Sequence, residues 1–189
     1  LSDEEVKLGR ENASIDLSPE SEWYVHGRRG SKTLLDNSPV QMTKDIETAK
    51  SYAGKNGSVY ALKPAKDATV LDFTNPNSAD MNSLVDSAME DYRKGNFPGG
   101  IIDSIEGSTG RDLTEKDLSK GIREAFAPDD IVNSAGAYDV REWRNWIASK
   151  YEDQDVFIKT PNGAIALNKE AAEYKRINFE EGASVGKSV

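Results

Sequence analysis

Residues 23–31 read WYVHGRRGS and residues 42–62 read MTKDIETAKSYAGKNGSVYAL. Residues 22–27, EWYVHG, are a compact run rich in aromatic and β-branched side chains, which predicts a strand that breaks at Gly27. Residues 28–41 are polar, carry Pro39 and read as a loop. TKDIETAKSYAGKNG then predicts a helix. Thr43 is its candidate N-cap, Asp45 suits the positive end, and Gly54 or Gly57 suits the exit. SVYALKP follows as a strand closed by Pro64. Strand, loop, helix and strand in that order make a mixed α/β unit.

Further along, TVLDF predicts a strand before Pro76. Ser78 caps a helix whose Met81, Leu84, Val85, Ala88, Met89 and Tyr92 share one face, and Gly95 ends it. GIIDSI, residues 100–105, is a short apolar strand candidate, and residues 106–113 form a Gly/Ser/Asp loop. TEKDLSKGIREAF predicts a helix with Thr114 and Asp117 in a box-like N-terminal arrangement. YDVREWRNWIASKY carries Trp143, Trp146 and Ile147 on one stripe. DVFIK, the turn TPNG and AIALN predict a hairpin, and EYKRINF a final strand. The organisation expected is a polar lead-in over 1–21, one domain over 22–178 and a disordered tail over 179–189.

Composition bounds the partners. The chain has 189 residues and no cysteine, so disulfides and thiolate metal sites are excluded. With 24 Lys and Arg against 33 Asp and Glu, the net charge is −9. That favours solubility and argues against broad binding to a phosphate backbone, hence no general nucleic-acid partner. Arg28, Arg29 and Lys32 form the dense basic cluster beside a motif, where a small anion could still bind. No apolar run approaches the ~20 residues that cross a bilayer, so no membrane association is expected. The first residues show no apolar signal region, which points to the cytoplasm, or to delivery into a host cell's cytoplasm. The chain starts at Leu1 rather than Met and reads as an excised fragment or a processed product.

Within the two opening segments, Tyr24, His26 and Gly27 are followed by Thr43, then by Ser51, Tyr52 and Ala53, then by the strand from Ser58 to Leu62. His26 is the single histidine. This order resembles the ADP-ribosyltransferase superfamily, in the branch of diphtheria toxin and the poly(ADP-ribose) polymerases. The closing hairpin and EYKRI resemble the end of that domain. The matched pieces cover about a third of the chain. The resemblance implies an α+β fold, a split mixed β-sheet with inserted helices. It also implies NAD as substrate: His26 on the ribose, Gly27 on the nicotinamide amide and Tyr52 stacked on the ring. Tyr24, Thr43 and Ser51 complete the implied NAD contacts. The chemistry is consistent with those types. Breaking the nicotinamide–ribose bond passes through a sugar cation, which an oriented pocket and a nearby negative charge stabilise.

Two positions depart from the family pattern. Arg28 stands where Thr or Ser usually follows His-Gly, as a possible NAD-phosphate contact or an obstruction. The catalytic Glu normally opens the last hairpin strand, where this chain has PNGAIAL, so Gly163 or Ala164 occupies the place. Asp155 is the first substitute in sequence. Glu142, Glu152 and Asp153 are further options.

Each of these residues also has a plain structural reading. His26 could be a structural histidine, Tyr52 a helix-to-sheet contact, Thr43 a simple cap and Arg28 and Arg29 solvated charges. GSTGRD, residues 107–112, lacks the Lys-Ser/Thr ending of a phosphate loop. One histidine and no cysteine leave little for zinc, and no Gly-x-Ser-x-Gly or Gly-x-Gly-x-x-Gly motif occurs. The expected function is an NAD-dependent mono-ADP-ribosyltransferase acting on a macromolecule, with a protein as target, in a phage or bacterial effector or toxin. The alternative is a catalytically inactive relative acting by protein binding, as a phage structural or inhibitory protein. A third reading is NAD hydrolysis without transfer.

Overall fold

The computed structural model describes residues 15–30, 39–103, 114–125, 136–152 and 154–177. Seven strands form one mixed sheet. β1 is Tyr24–Arg28, β2 Val40–Thr43, β3 Ser58–Pro64, β4 Thr69–Asp72, β5 Val156–Thr160, β6 Gly163–Ala166 and β7 Ala172–Ile177. Their spatial order is β4-β5-β6-β2-β1-β3-β7. β4 and β5 run parallel, and every other neighbouring pair is antiparallel. The helices are α1 (Ile46–Ala53), α2 (Ala79–Arg93), α3 (Glu115–Ala125) and α4 (Gly136–Lys150). The class is therefore α+β.

The sheet curls. β1 and β5 are three places apart in the order, which in a flat sheet means about 14 Å. Yet the rings of Tyr24 and Phe157, one from each strand, have centroids 5.7 Å apart. The concave interior holds Tyr24, Met42, Tyr60, Leu62, Phe157 and Ala166. Alternate residues of the same strands point the other way. On that side Val156, Ile158 and Ile165 meet Met81, Leu84, Leu118, Ile122, Trp143, Trp146 and Ile147 of the long helices. Val25, Val59 and Ala61 meet Ala49 and Ala53 of α1. Ile15, in the stretch read as a polar lead-in, is buried in that last cluster.

The local rules account for most elements. Ser78 accepts from the amide of Met81 at 3.1 Å and caps α2. Thr114 and Asp117 exchange side-chain and backbone bonds at 3.1 and 3.2 Å, a capping box at the start of α3. Trp143 and Trp146 pack edge-on against Phe97.

Three local expectations are corrected. Residues 40–43 are a strand, not the end of a loop, because β6 pairs with them along Val40–Thr43. α1 is capped by Asp45 rather than Thr43: its Oδ1 accepts from the Glu47 amide at 3.1 Å. Residues 99–103 are helical rather than extended, with Ile101 buried against the helical core. Pro98 precedes them, in a position that suits a helix start. Residues 106–113 and 179–189 lie outside the described residues.

Candidate functional site

Glycine and alanine bring α1 unusually close to β1. A Cβ on Gly27 would collide with the Ala49 carbonyl and lie 2.9 Å from the Ala53 amide nitrogen. Gly27 is therefore required by helix-on-strand packing, whatever else touches it. This packing sets Tyr52 beside the strand that carries His26. Tyr52 is 56% exposed although it is aromatic.

β1 and β2 form the weak seam of the sheet. Among the described residues their register is carried by Val25 opposite Thr43, whereas β1 and β3 pair all along Tyr24–Arg28. Beyond Val25 the two strands part, and a side chain closes the gap. His26 Nδ1 lies 2.6 Å from the Gln41 carbonyl oxygen. A carbonyl only accepts, so Nδ1 carries the hydrogen and Nε2 is left with a lone pair. Burial, the main cause, pushes the His26 pKa below its ordinary value, which keeps the ring neutral.

The parted strands open onto a cavity of about 510 Å³. β1 contributes Val25, His26 and Gly27, and the β2 segment contributes Gln41 through Asp45. α1 adds Thr48, Ala49 and Tyr52, and the β5–β6 turn adds Asn162. Among the described lining residues, Asp45 is the one carboxylate. Its Oδ2 accepts from the Thr48 hydroxyl at 2.6 Å, and that bond leads the causes holding its pKa below the ordinary carboxylate value. Lys44 donates to the carbonyls of Ser21 and Trp23, the latter at 2.7 Å, and covers the Tyr24 ring at 4.1 Å. Burial lowers its pKa. The site thus offers a hydroxyl-accepting nitrogen, an open aromatic face, a side-chain amide and a fixed negative charge.

No family model, curated protein or solved structure matches this chain.

Of the residues singled out from the sequence, His26, Gly27, Thr43 and Tyr52 line this one cavity. Thr43 Oγ1 accepts from the Asp45 amide at 3.1 Å and so shapes the turn into α1. The others do not line it. Tyr24 is buried against Phe157 in the concave interior. Ser51 is exposed on α1. Arg28 ends β1 and pairs in register with Ser58. Asp155 stands at the foot of β5, where its Oδ1 accepts from Asn168 at 3.0 Å. That is a strand length, about 17 Å, from the hairpin turn that reaches the cavity. Glu142 lies on α4 against Gly100, on the side of the long helices.

Gly163 and Ala164 have no room to present a functional group. A Cβ on Gly163 would collide with the Met42 carbonyl, and Ala164 is buried in the concave cluster. Asn162 supplies the polar side chain at that corner. Gln41, Lys44, Thr48, Asn162 and Asp45 as a wall residue were not picked out from the sequence. The spacing of Asp45 and Thr48 within one turn was the visible signal for two of them.

Proposed function

We propose that this chain is an NAD-dependent mono-ADP-ribosyltransferase built on a split sheet with inserted helices, and that the cavity between β1 and β2 holds the nicotinamide end of NAD. The observation that carries this reading is the meeting of His26 and Tyr52 in one cavity. The neutral Nε2 of His26 suits a ribose hydroxyl as donor. The open face of Tyr52 suits the flat pyridinium ring. Cleavage of the nicotinamide–ribose bond leaves positive charge on the sugar and releases neutral nicotinamide. A nucleophile on the acceptor then takes the ribose carbon. Asp45 is the carboxylate closest to that chemistry, and Thr48 fixes its direction. The acceptor is a macromolecule, a protein by the same reading. The setting is a cytoplasm that holds NAD, the cell's own or that of a host entered by a phage or bacterial effector or toxin.

A second reading is favoured by Asn162. The hairpin corner that would present a carboxylate presents an amide. In that reading the chain holds NAD, or a related ligand, without turnover, and acts through a protein partner.

Incubation with labelled NAD and cell lysate, followed by separation of macromolecules, tests transfer. Equilibrium binding of NAD to the pure chain tests the cavity. Label on a macromolecule supports the first reading, and binding with no transferred label and no free ADP-ribose supports the second. Free ADP-ribose alone indicates hydrolysis. Absence of NAD binding rejects all three.

A further inference from the structure

The concave face of the sheet carries a second feature beside the cavity. His26 pairs in register with Tyr60, and Tyr60 with Arg176, so the three form one row across β1, β3 and β7. Arg28 follows His26 by two residues in the same strand and therefore points to the same face. Adjacent strands are about 4.8 Å apart, so the row from His26 to Arg176 measures about 10 Å between backbones. An arginine side chain reaches across most of that distance.

Between the two arginines lies Tyr60, which is 2% exposed. Burial raises the pKa of its hydroxyl, and the charges of Arg176 and Arg28 pull it back down. The charge of Arg28 also acts on His26. Both guanidinium groups are thus gathered at one end of the concave face. Among the described residues, neither is in an ion pair. Arg28 Nε is buried with no hydrogen-bond partner. Arg176 is exposed on the edge strand β7 and accessible to a ligand. In a chain of net charge −9, two neighbouring cations without a carboxylate are an electrostatic cost that a bound anion offsets.

We propose that Arg28 and Arg176 form a phosphate-binding site on the concave face beside His26, and that it takes the diphosphate of the dinucleotide whose nicotinamide end fills the cavity. The site rests on the NAD reading for its ligand but not for its chemistry. Two planar guanidinium forks suit a group with several oxygens on two adjacent phosphorus centres better than a single carboxylate.

Calorimetric titration of the full chain with NAD, nicotinamide riboside and inorganic pyrophosphate tests it. Arg28→Gln and Arg176→Gln should each weaken NAD and pyrophosphate about tenfold and leave nicotinamide riboside, which has no phosphate, unchanged. Arg176→Lys keeps the charge without the fork and should fall between. Thermal melts establish that each variant is folded. Arg176→Gln that binds NAD as tightly as the unsubstituted chain overturns the proposal, as does an equal loss for nicotinamide riboside. The dinucleotide assignment fails separately. Arginine-dependent binding of pyrophosphate without any binding of NAD or nicotinamide riboside keeps the phosphate site and rejects the cavity reading. No binding of NAD or pyrophosphate rejects both.

Discussion

The imidazole of His26 is tied across the seam between β1 and β2 to the carbonyl of Gln41, at 2.6 Å. One side chain therefore does what a ladder hydrogen bond does elsewhere in the sheet, and it orients its own second nitrogen in doing so. Burial depresses the His26 pKa below 6.5, so the folded chain resists protonation more than the unfolded chain does. The unfolded state then binds more protons, and stability rises with pH across that interval. The contribution is complete above about 6.5 and is lost as pH falls through the folded-state value. Urea unfolding over a pH series should show this slope, and His26→Gln should flatten it. An identical slope in the variant would assign the effect to other groups.

Gly27→Ala should destabilise the fold. The new methyl meets backbone on two sides, the Ala49 carbonyl and the Ala53 amide, and neither can rotate away. Overpacking of this kind costs about 1–3 kcal/mol, and the cost here belongs at the upper end. The denaturation midpoint measures it. A midpoint unchanged from the parent would mean that α1 can move off β1 freely.

Tyr52→Ala separates binding from folding. The side chain is 56% exposed, so its loss should change stability by no more than about 0.5 kcal/mol. Loss of an aromatic platform should weaken NAD about tenfold, and Tyr52→Phe should retain most of the affinity. Equal affinity in the Ala variant would remove Tyr52 from the site.

Asp155 and Asn162 give opposite expectations for catalysis. Asp155→Asn lies away from the cavity and should leave NAD turnover intact. Its bond to Asn168 makes a stability loss of about 1 kcal/mol the expected effect. Asn162→Glu places a carboxylate at the hairpin corner of the cavity and should raise turnover of NAD. Turnover lost in the first variant and unchanged in the second would return the catalytic charge to Asp155.

The parts of this molecule with strong local signals were legible. The helical face of Met81, Leu84, Val85 and Ala88, the cap at Ser78 and the hairpin around Pro161 and Asn162 follow from periodicity and turn chemistry. Val40–Thr43 was not legible as a strand, because Gln41 and Thr43 give it a polar face and Pro39 stands before it. That polar face lines the cavity, so the same property hid the strand and made the site. The apolar run at Ile101 and Ile102 was open to either reading, since a short apolar run fits a buried strand or a buried turn of helix alike. For the site, His26, Gly27 and Tyr52 could be grouped by motif. Asp45 and Asn162 could not, because their meeting depends on where β1 and β2 separate.

The parallel pairing of β4 with β5 has a kinetic consequence. Thr69–Asp72 must find Val156–Lys159 across the whole intervening helical segment, so loop-closure entropy opposes this contact more than any hairpin in the sheet. The β5–β6 hairpin can zip early from its own turn, while β4 docks late and at the margin of the sheet. Amide protons along β4 should therefore exchange with solvent sooner than those of β3, and a pulsed-labelling experiment should find them protected last during refolding.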